Sequence, residues 1–136
     1  MSETIFSKII RKEIPANIIY EDDIVMAFLD IHPVNPGHTL IVSKENAENM
    51  MQTSNEALSH IIYVAKKIAP VILETVGAHD FNFTTNNGAD AGQIVMHTHF
   101  HLIPRFADDG YKMWGHHDVS SEELSALANK INEKLV

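Results

Sequence analysis

Residues 94–105 read Ile-Val-Met-His-Thr-His-Phe-His-Leu-Ile-Pro-Arg, and three histidines two apart inside an apolar run restrict what this chain can build. In an extended strand, successive side chains point to opposite faces. Val95, His97, His99 and His101 then share one face, and Ile94, Met96, Phe100 and Leu102 share the other. One face reads as core and the other as a reactive surface. The spacing therefore predicts a strand from Ile94 to about Arg105. Imidazoles titrate nearest neutrality of all side chains, and three packed together cannot all carry charge, so neighbours drive their protonation states apart.

The remaining pattern places this strand in an α+β fold. Ile5, Phe6, Ile9 and Ile10 are spaced three and four apart, which predicts a short helix from Thr4 to about Glu13, stopped before Pro15. Ile18–Tyr20, Ile24–Asp30 and His38–Ser43 are short β-rich runs forming an antiparallel meander. The prolines and glycine of 31–37 make that piece a loop. Thr53-Ser54-Asn55-Glu56 has the form of a capping box, and Leu58, Ile61, Ile62, Ala65, Ile68, Ala69, Ile72, Leu73 and Val76 continue at helical spacing to Gly77. Pro70 falls inside this longest helix and bends it without breaking the phase of the stripe. Phe81–Asn86 gives a fourth strand and 87–93 a glycine-containing turn. Ser120 and Glu123 open a last amphipathic helix with Leu124, Leu127, Ala128, Ile131 and Leu135 on one side. Strands and helices do not alternate regularly. The expected architecture is an antiparallel sheet of about five strands with a long helix on one face.

With 136 residues and 45% apolar content, the chain is expected to be a single domain, residues 1–136, with its core over about 4–106 and a C-terminal tail and helix over 107–136. No run approaches the roughly 20 apolar residues of a membrane span, and the first residues lack a secretory pattern, so a soluble, cytoplasmic protein is expected. The absence of cysteine excludes disulfides and thiolate zinc sites. A formal charge of −8 argues against nucleic acid as a partner, while a small anion remains compatible where backbone amides and a few cations converge.

Three readings of the histidines compete: solvent-facing residues on an outer sheet face, metal ligands completed by His38, His32 or a carboxylate, and nucleophilic catalysis. Here the sequence resembles a known family. His97-Thr98-His99-Phe100-His101-Leu102-Ile103 resembles the alternating His-apolar signature of the histidine triad (HIT) superfamily of nucleotidyl hydrolases and transferases, with Thr98 at one apolar position. Residues 5–15 and 20–23, together with Ala27-Phe28-Leu29-Asp30-Ile31 and Pro36-Gly37-His38, resemble its Hint-like branch in order and spacing.

The resemblance implies a nucleoside phosphoramidase or related nucleotidyl hydrolase, with a dinucleoside polyphosphate hydrolase or a non-catalytic nucleotide-binding regulator as alternatives. It implies His99 as nucleophile toward the α-phosphorus, His97 aligning it, His38 packed nearby, and His101 on the phosphate or the departing group. Asn86 and Gln93 are expected as donors to phosphate, and Asp30 as the acceptor of the ribose hydroxyls. Ile5, Phe6, Ile9, Phe28 and Ile31 match the family's apolar clamp on the base. Ile94 stands where the branch often carries a phosphate-contacting serine. Arg105 is read as a solvated surface arginine or a contact to a polyphosphate, and Trp114 as a surface aromatic of the tail or part of the leaving-group side of the site. No cofactor is expected, nor a structural zinc of the Cys-x-x-Cys type. The implied partners are a purine nucleotide such as AMP or GMP and a second copy of the chain.

Overall fold

Five antiparallel strands carry the fold in a single sheet. The structure is a computed structural model, and it describes residues 3–135. The meander runs as expected through β1 (Ile18–Glu21), β2 (Val25–Leu29) and β3 (Thr39–Ser43). The chain then leaves the sheet through α2 (Asn55–Val76) and returns as β4 (Asp80–Thr84) and β5 (His99–Arg105). Strand β5 inserts between β3 and β4, so that His99 lies opposite Val42 and His101 opposite both Leu40 and Thr84.

Both faces of the central strands are covered, which is why β2 and β3 read as continuous apolar runs rather than as alternating ones. Val25, Ala27, Ile41 and Leu102 pack against Ile61, Val64, Ala65 and Ile68 of α2, with Phe83 and Phe100 at the margin. On the opposite face, Phe6 and Ile9 of α1 (Ile5–Ile10) cover Met26, Phe28, Leu40 and Val42. The histidines of β5 emerge on the α1 side, where a short helix covers the sheet only partly.

Local structure departs from the sequence expectations at three places, each for a physical reason. Helix α1 stops at Ile10 rather than near Glu13. Lys12 adopts φ 64, its N–H reaches Ile9 O and the Glu13 N–H reaches Lys8 O, which is a Schellman closure with lysine in the usual glycine position. The cap of α2 is Ser54, whose hydroxyl accepts from the Ala57 N–H, and not Thr53. Thr53 is buried instead, with its hydroxyl on Asn49 O at 2.9 Å and on Thr98 Oγ1 at 2.6 Å.

The third departure concerns the histidine strand, which begins at His99 and not at Ile94. Residues 94–98 bend: the His97 N–H turns back to Val95 O, the Thr98 N–H donates to Ala47 O, and Thr98 O accepts from the Ser43 N–H. This segment is tied to the 43–47 connection instead of to a ladder. Strict alternation therefore fails there, and Ile94 (91% exposed) and Met96 are not core residues. Helix α3 (Ser121–Leu135) opens on Ser120, whose Oγ accepts from the Glu123 N–H as expected. Its apolar side, Leu124, Leu127, Ile131 and Leu135, is exposed, as is every described residue from Gly110 onward. Among the described residues no helix is long and apolar enough to cross a membrane.

Candidate active site

Backbone partners fix the protonated nitrogen of His38, His97 and His99, and His38 in turn fixes that of His101. His99 Nδ1 lies 2.6 Å from the carbonyl of His97. A carbonyl only accepts, so Nδ1 carries the proton and the Nε2 lone pair is left free. His99 is 6% exposed, with the Phe6 ring set edge-on at 4.9 Å between centroids. Burial holds its pKa down at about 4, and the His101 and His97 imidazoles push the same way against the carbonyl bond and Asp30. At neutral pH His99 is an uncharged imidazole with an available lone pair.

The same logic runs through His38 and His101. The Val34 N–H donates to His38 Nδ1 at 3.0 Å, so the proton of His38 resides on Nε2. That nitrogen lies 3.0 Å from His101 Nδ1 and 3.6 Å from Asp30 Oδ2. His101 Nδ1 therefore accepts, and its own proton sits on Nε2. Burial lowers the pKa of both rings, with the Asp30 carboxylate acting in the opposite direction on each.

His97 plays a different part from its neighbours. Its Nε2 is 2.6 Å from the Ser43 carbonyl, which makes Nε2 the donor, and its side chain does not line the cleft that His99 and His101 face. It lines a separate cavity of about 270 Å³ with Ser7, Arg11 and Asn46. His97 Nδ1 is buried without a hydrogen-bond partner there, alone in that respect among the described side chains. Its contact with His99 runs through the main chain.

The cleft itself measures about 510 Å³. Ile5, Phe6 and Ile9 of α1, Phe28 near the end of β2, and Ile31 supply apolar lining, while Asp30, His32, Asn86, His99 and His101 supply the polar side chains. Asp30 Oδ1 accepts from the His32 N–H, which leaves its second oxygen toward His38. Among the described residues no lysine or arginine lines the cleft. Of the residues singled out from sequence, Gln93 stands apart. It is buried, its amide nitrogen donates to Glu48 O and Val95 O, and its carbonyl accepts from the Gly88 N–H, so it braces the turn before the histidines. Arg105 is likewise no free arginine: it donates to Asp109, Asn82 and Tyr111 O at the root of the tail. Ile94, expected in the core, is instead on the lip of the cleft.

One carboxylate and two imidazoles, Asp30, His38 and His101, place a ligand atom each within 4.8 Å of one another, and these are the residues that can hold a metal ion. Three donors are one fewer than a closed zinc site uses. The proton shared between His38 and His101 competes with the ion for the same lone pair. Missing from the sequence reading were the backbone groups that set the tautomers: Ser43 O, His97 O and the Val34 N–H. No residue type announces them, because every residue carries them.

A neutral, carbonyl-oriented histidine thus stands beside a second histidine that is itself fixed by a third, in one largely apolar cleft on an α+β sheet. The model of the HIT domain matches residues 11–108, and the chain belongs to this family. It is 36% identical over 134 residues to the adenosine 5′-monophosphoramidase hnt1 of Schizosaccharomyces pombe, covering 96% of this chain and 97% of the relative. Among solved structures it superimposes on a HIT family member from Bacillus subtilis with TM-score 0.89 and 37% identity, over 99% of each chain. It also superimposes on the histidine triad nucleotide-binding protein of Candida albicans with TM-score 0.87 and 33% identity, over 98% and 97%.

Proposed function

We propose that this chain is a nucleotide-binding hydrolase that cleaves a purine nucleoside 5′-phosphoramidate, or a related nucleoside phosphoryl conjugate, through a nucleotidyl-histidine intermediate. The observation that carries it is the unpaired Nε2 of a neutral His99 beside the N–H of His101 in one cleft. In the first step the His99 Nε2 lone pair attacks the α-phosphorus. The phosphorus–nitrogen bond breaks, and the amine, bound in its N-protonated form, departs neutral. His101 Nε2–H donates a hydrogen bond to the phosphoryl oxygens or the departing nitrogen, and Asn86 adds a second donor. Water then attacks phosphorus, the bond to Nε2 breaks with its electron pair returning to His99, and the nucleoside monophosphate and one proton leave.

Asp30 accepts from the ribose hydroxyls in this reading, and Ile5, Phe6, Ile9, Phe28 and Ile31 hold the base. A dinucleoside polyphosphate is the weaker candidate, since its extra phosphates would meet no lysine or arginine in the cleft lining. The name of the S. pombe relative supports the phosphoramidate. A homodimer belongs to the same reading, with the outer edge of β4 and exposed Ile62, Tyr63 and Val71 of α2 as apolar surface for it.

The test is incubation with adenosine 5′-phosphoramidate and, separately, with diadenosine tetraphosphate, following AMP release. Mass analysis of acid-quenched protein looks for an adenylyl adduct on His99. AMP from the phosphoramidate, lost in His99→Ala while AMP binding is retained, is the expected result. Release of AMP at an undiminished rate by that variant overturns the nucleophile, and no release from either compound overturns the hydrolase.

A further inference from the structure

We propose that Asn35, which does not line the cleft and whose side-chain amide donates to Pro104 O and Asp109, is a positioning residue that sets which nitrogen of His38 and of His101 carries the proton. Both protons of its side-chain amide are in use. Asn35 Nδ2 donates to Pro104 O at 2.9 Å and to Asp109 Oδ2 at 3.0 Å. A carbonyl and a carboxylate only accept, so the amide can take no other orientation. Asp109 is itself held by Arg105 and by the Phe106 and Tyr111 N–H groups. Asn35 thereby ties the 31–37 loop to the end of β5 at a fixed point.

That loop carries the two contacts that orient His38. The backbone carbonyl of Asn35 accepts from the His38 N–H at 3.1 Å, and the Val34 N–H, one residue back, donates to His38 Nδ1 at 3.0 Å. With Nδ1 occupied as acceptor, His38 must protonate on Nε2, and Nε2–H must donate to His101 Nδ1 at 3.0 Å. His101 is then left with its proton on Nε2, the nitrogen that faces substrate in the function proposed above. Gly37 keeps the loop close: at φ +89 an added Cβ would stand 3.0 Å from Val76 Cγ1 and 3.2 Å from Pro104 Cγ. The chain of dependence runs from the Asn35 amide to the Val34 N–H, to His38, to His101. Without the amide tie the Val34 N–H loses its aim, His38 can protonate on Nδ1 instead, and its bare Nε2 would then ask His101 for a proton on Nδ1.

Nitrogen-15 NMR of the histidine rings at pH 7.5 reads this directly, because protonated and bare ring nitrogens resonate far apart. In the unaltered chain both His38 and His101 are expected as Nε2–H. Asn35→Asp keeps the shape of the residue and removes both donors. It is expected to give His38 and His101 a resolvable Nδ1–H population, with kcat for adenosine 5′-phosphoramidate down roughly tenfold and KM within about threefold. Asn35→Gln, which can still donate, is expected to recover part of both effects. If the Asn35 variants do not fold, Asp109→Ala removes one of the two acceptors and is expected to move the tautomers in the same direction. A ring spectrum with His38 as Nδ1–H in the unaltered chain overturns the proposal, and so does Asn35→Asp with unchanged tautomers, whatever its melting temperature. Altered tautomers with unaltered kcat overturn the link to chemistry. The kinetic arm rests on the proposed function, whereas the NMR arm does not, so an inactive parent chain counts against the hydrolase and leaves the tautomer result to be judged alone.

Discussion

His97 reaches His99 through its main chain: the 2.6 Å contact to His99 Nδ1 is made by the His97 carbonyl, while the His97 ring is anchored 2.6 Å from Ser43 O. Removing the ring of His97 leaves the carbonyl in place but releases its anchor. His99→Ala is expected to lower kcat on adenosine 5′-phosphoramidate by more than 10³-fold, and His97→Ala by roughly 10² at most, since a mispositioned nucleophile costs about that much. His97→Gln, with an amide N–H able to reach Ser43 O, is expected to fall between His97→Ala and the unaltered chain. Steady-state kinetics of the three variants checks this ranking. Equal losses in His97→Ala and His99→Ala would assign the His97 ring a direct chemical role.

The buried histidines set an acid limit on stability. In the unfolded chain His99 takes up a proton near pH 6.5, but in the folded chain only near 4, because burial penalises its cation. His38, His97 and His101 are shifted downward for the same first cause. Between these values the unfolded state binds more protons, so stability is fully present above about pH 6.5 and declines as the pH falls toward 4. His99 alone accounts for a decline on the order of 3 kcal/mol. Melting temperatures measured from pH 8 to 4 are expected to fall most steeply below 6.5. A flat profile over that interval would mean that these imidazoles are hydrated.

Asp30 acts on three imidazoles, and the proposed function gives it the ribose as well. Its carboxylate stands 3.6 Å from His38 Nε2 and raises the proton affinity of His38, His99 and His101 against their burial. Asp30→Asn removes that charge while keeping the shape. The three histidine pKa values are then expected to move further down, and the KM for adenosine 5′-phosphoramidate to rise about tenfold through loss of a charge-assisted bond to the ribose. A 2′,3′-dideoxy substrate is expected to narrow that gap to within about twofold. Should the variant and the unaltered chain still differ tenfold on the dideoxy substrate, Asp30 does not hold the ribose.

The elements were readable because side-chain pattern carries them: the meander and the long helix follow apolar spacing between proline and glycine breaks, and Ser120 as a cap follows its spacing to Glu123. What escaped was local and came from the backbone. Lys12 takes a left-handed φ that its side chain does not advertise. Residues 94–98 satisfy the alternation of a strand yet bend, because their hydrogen-bonding partners lie in 43–47 rather than on a neighbouring strand. The histidines could be named from sequence, whereas their tautomers depend on Val34 N–H, Ser43 O and His97 O, which only the fold brings to them. Gln93 looks like a phosphate donor in sequence, and only its three hydrogen-bonding partners show that its amide is already occupied.

The two cap readings of α2 separate by mutation. Ser54 Oγ accepts from the Ala57 N–H at 3.1 Å and donates to Glu45 at 2.6 Å, so Ser54→Ala should cost about 1 kcal/mol. Glu56 would be the reciprocal partner only if Thr53 were the cap, and Glu56→Ala should stay within about 0.5 kcal/mol. Chemical denaturation of both variants measures the difference. A larger loss in Glu56→Ala would restore Thr53 as the cap.

Helix α3 contributes nothing to the core of a single chain. Leu124, Leu127, Ile131 and Leu135 are between 49% and 77% exposed. The root of the tail, by contrast, is held where Asp109 receives Arg105, Asn35 and two backbone N–H groups, which keeps its carboxyl well below the usual carboxylate range. Cutting the chain after Asp118 removes α3 and retains this anchor. The shortened protein is expected to melt within about 2 °C of the full chain, since surface changes away from packed features shift stability little. Asp109→Ala in the full chain is expected to lower the melting temperature by more than the truncation does. Light scattering alongside the melts decides the meaning of a different outcome: a marked fall in melting temperature together with a halved mass would show that a second copy covers the leucine seam of α3.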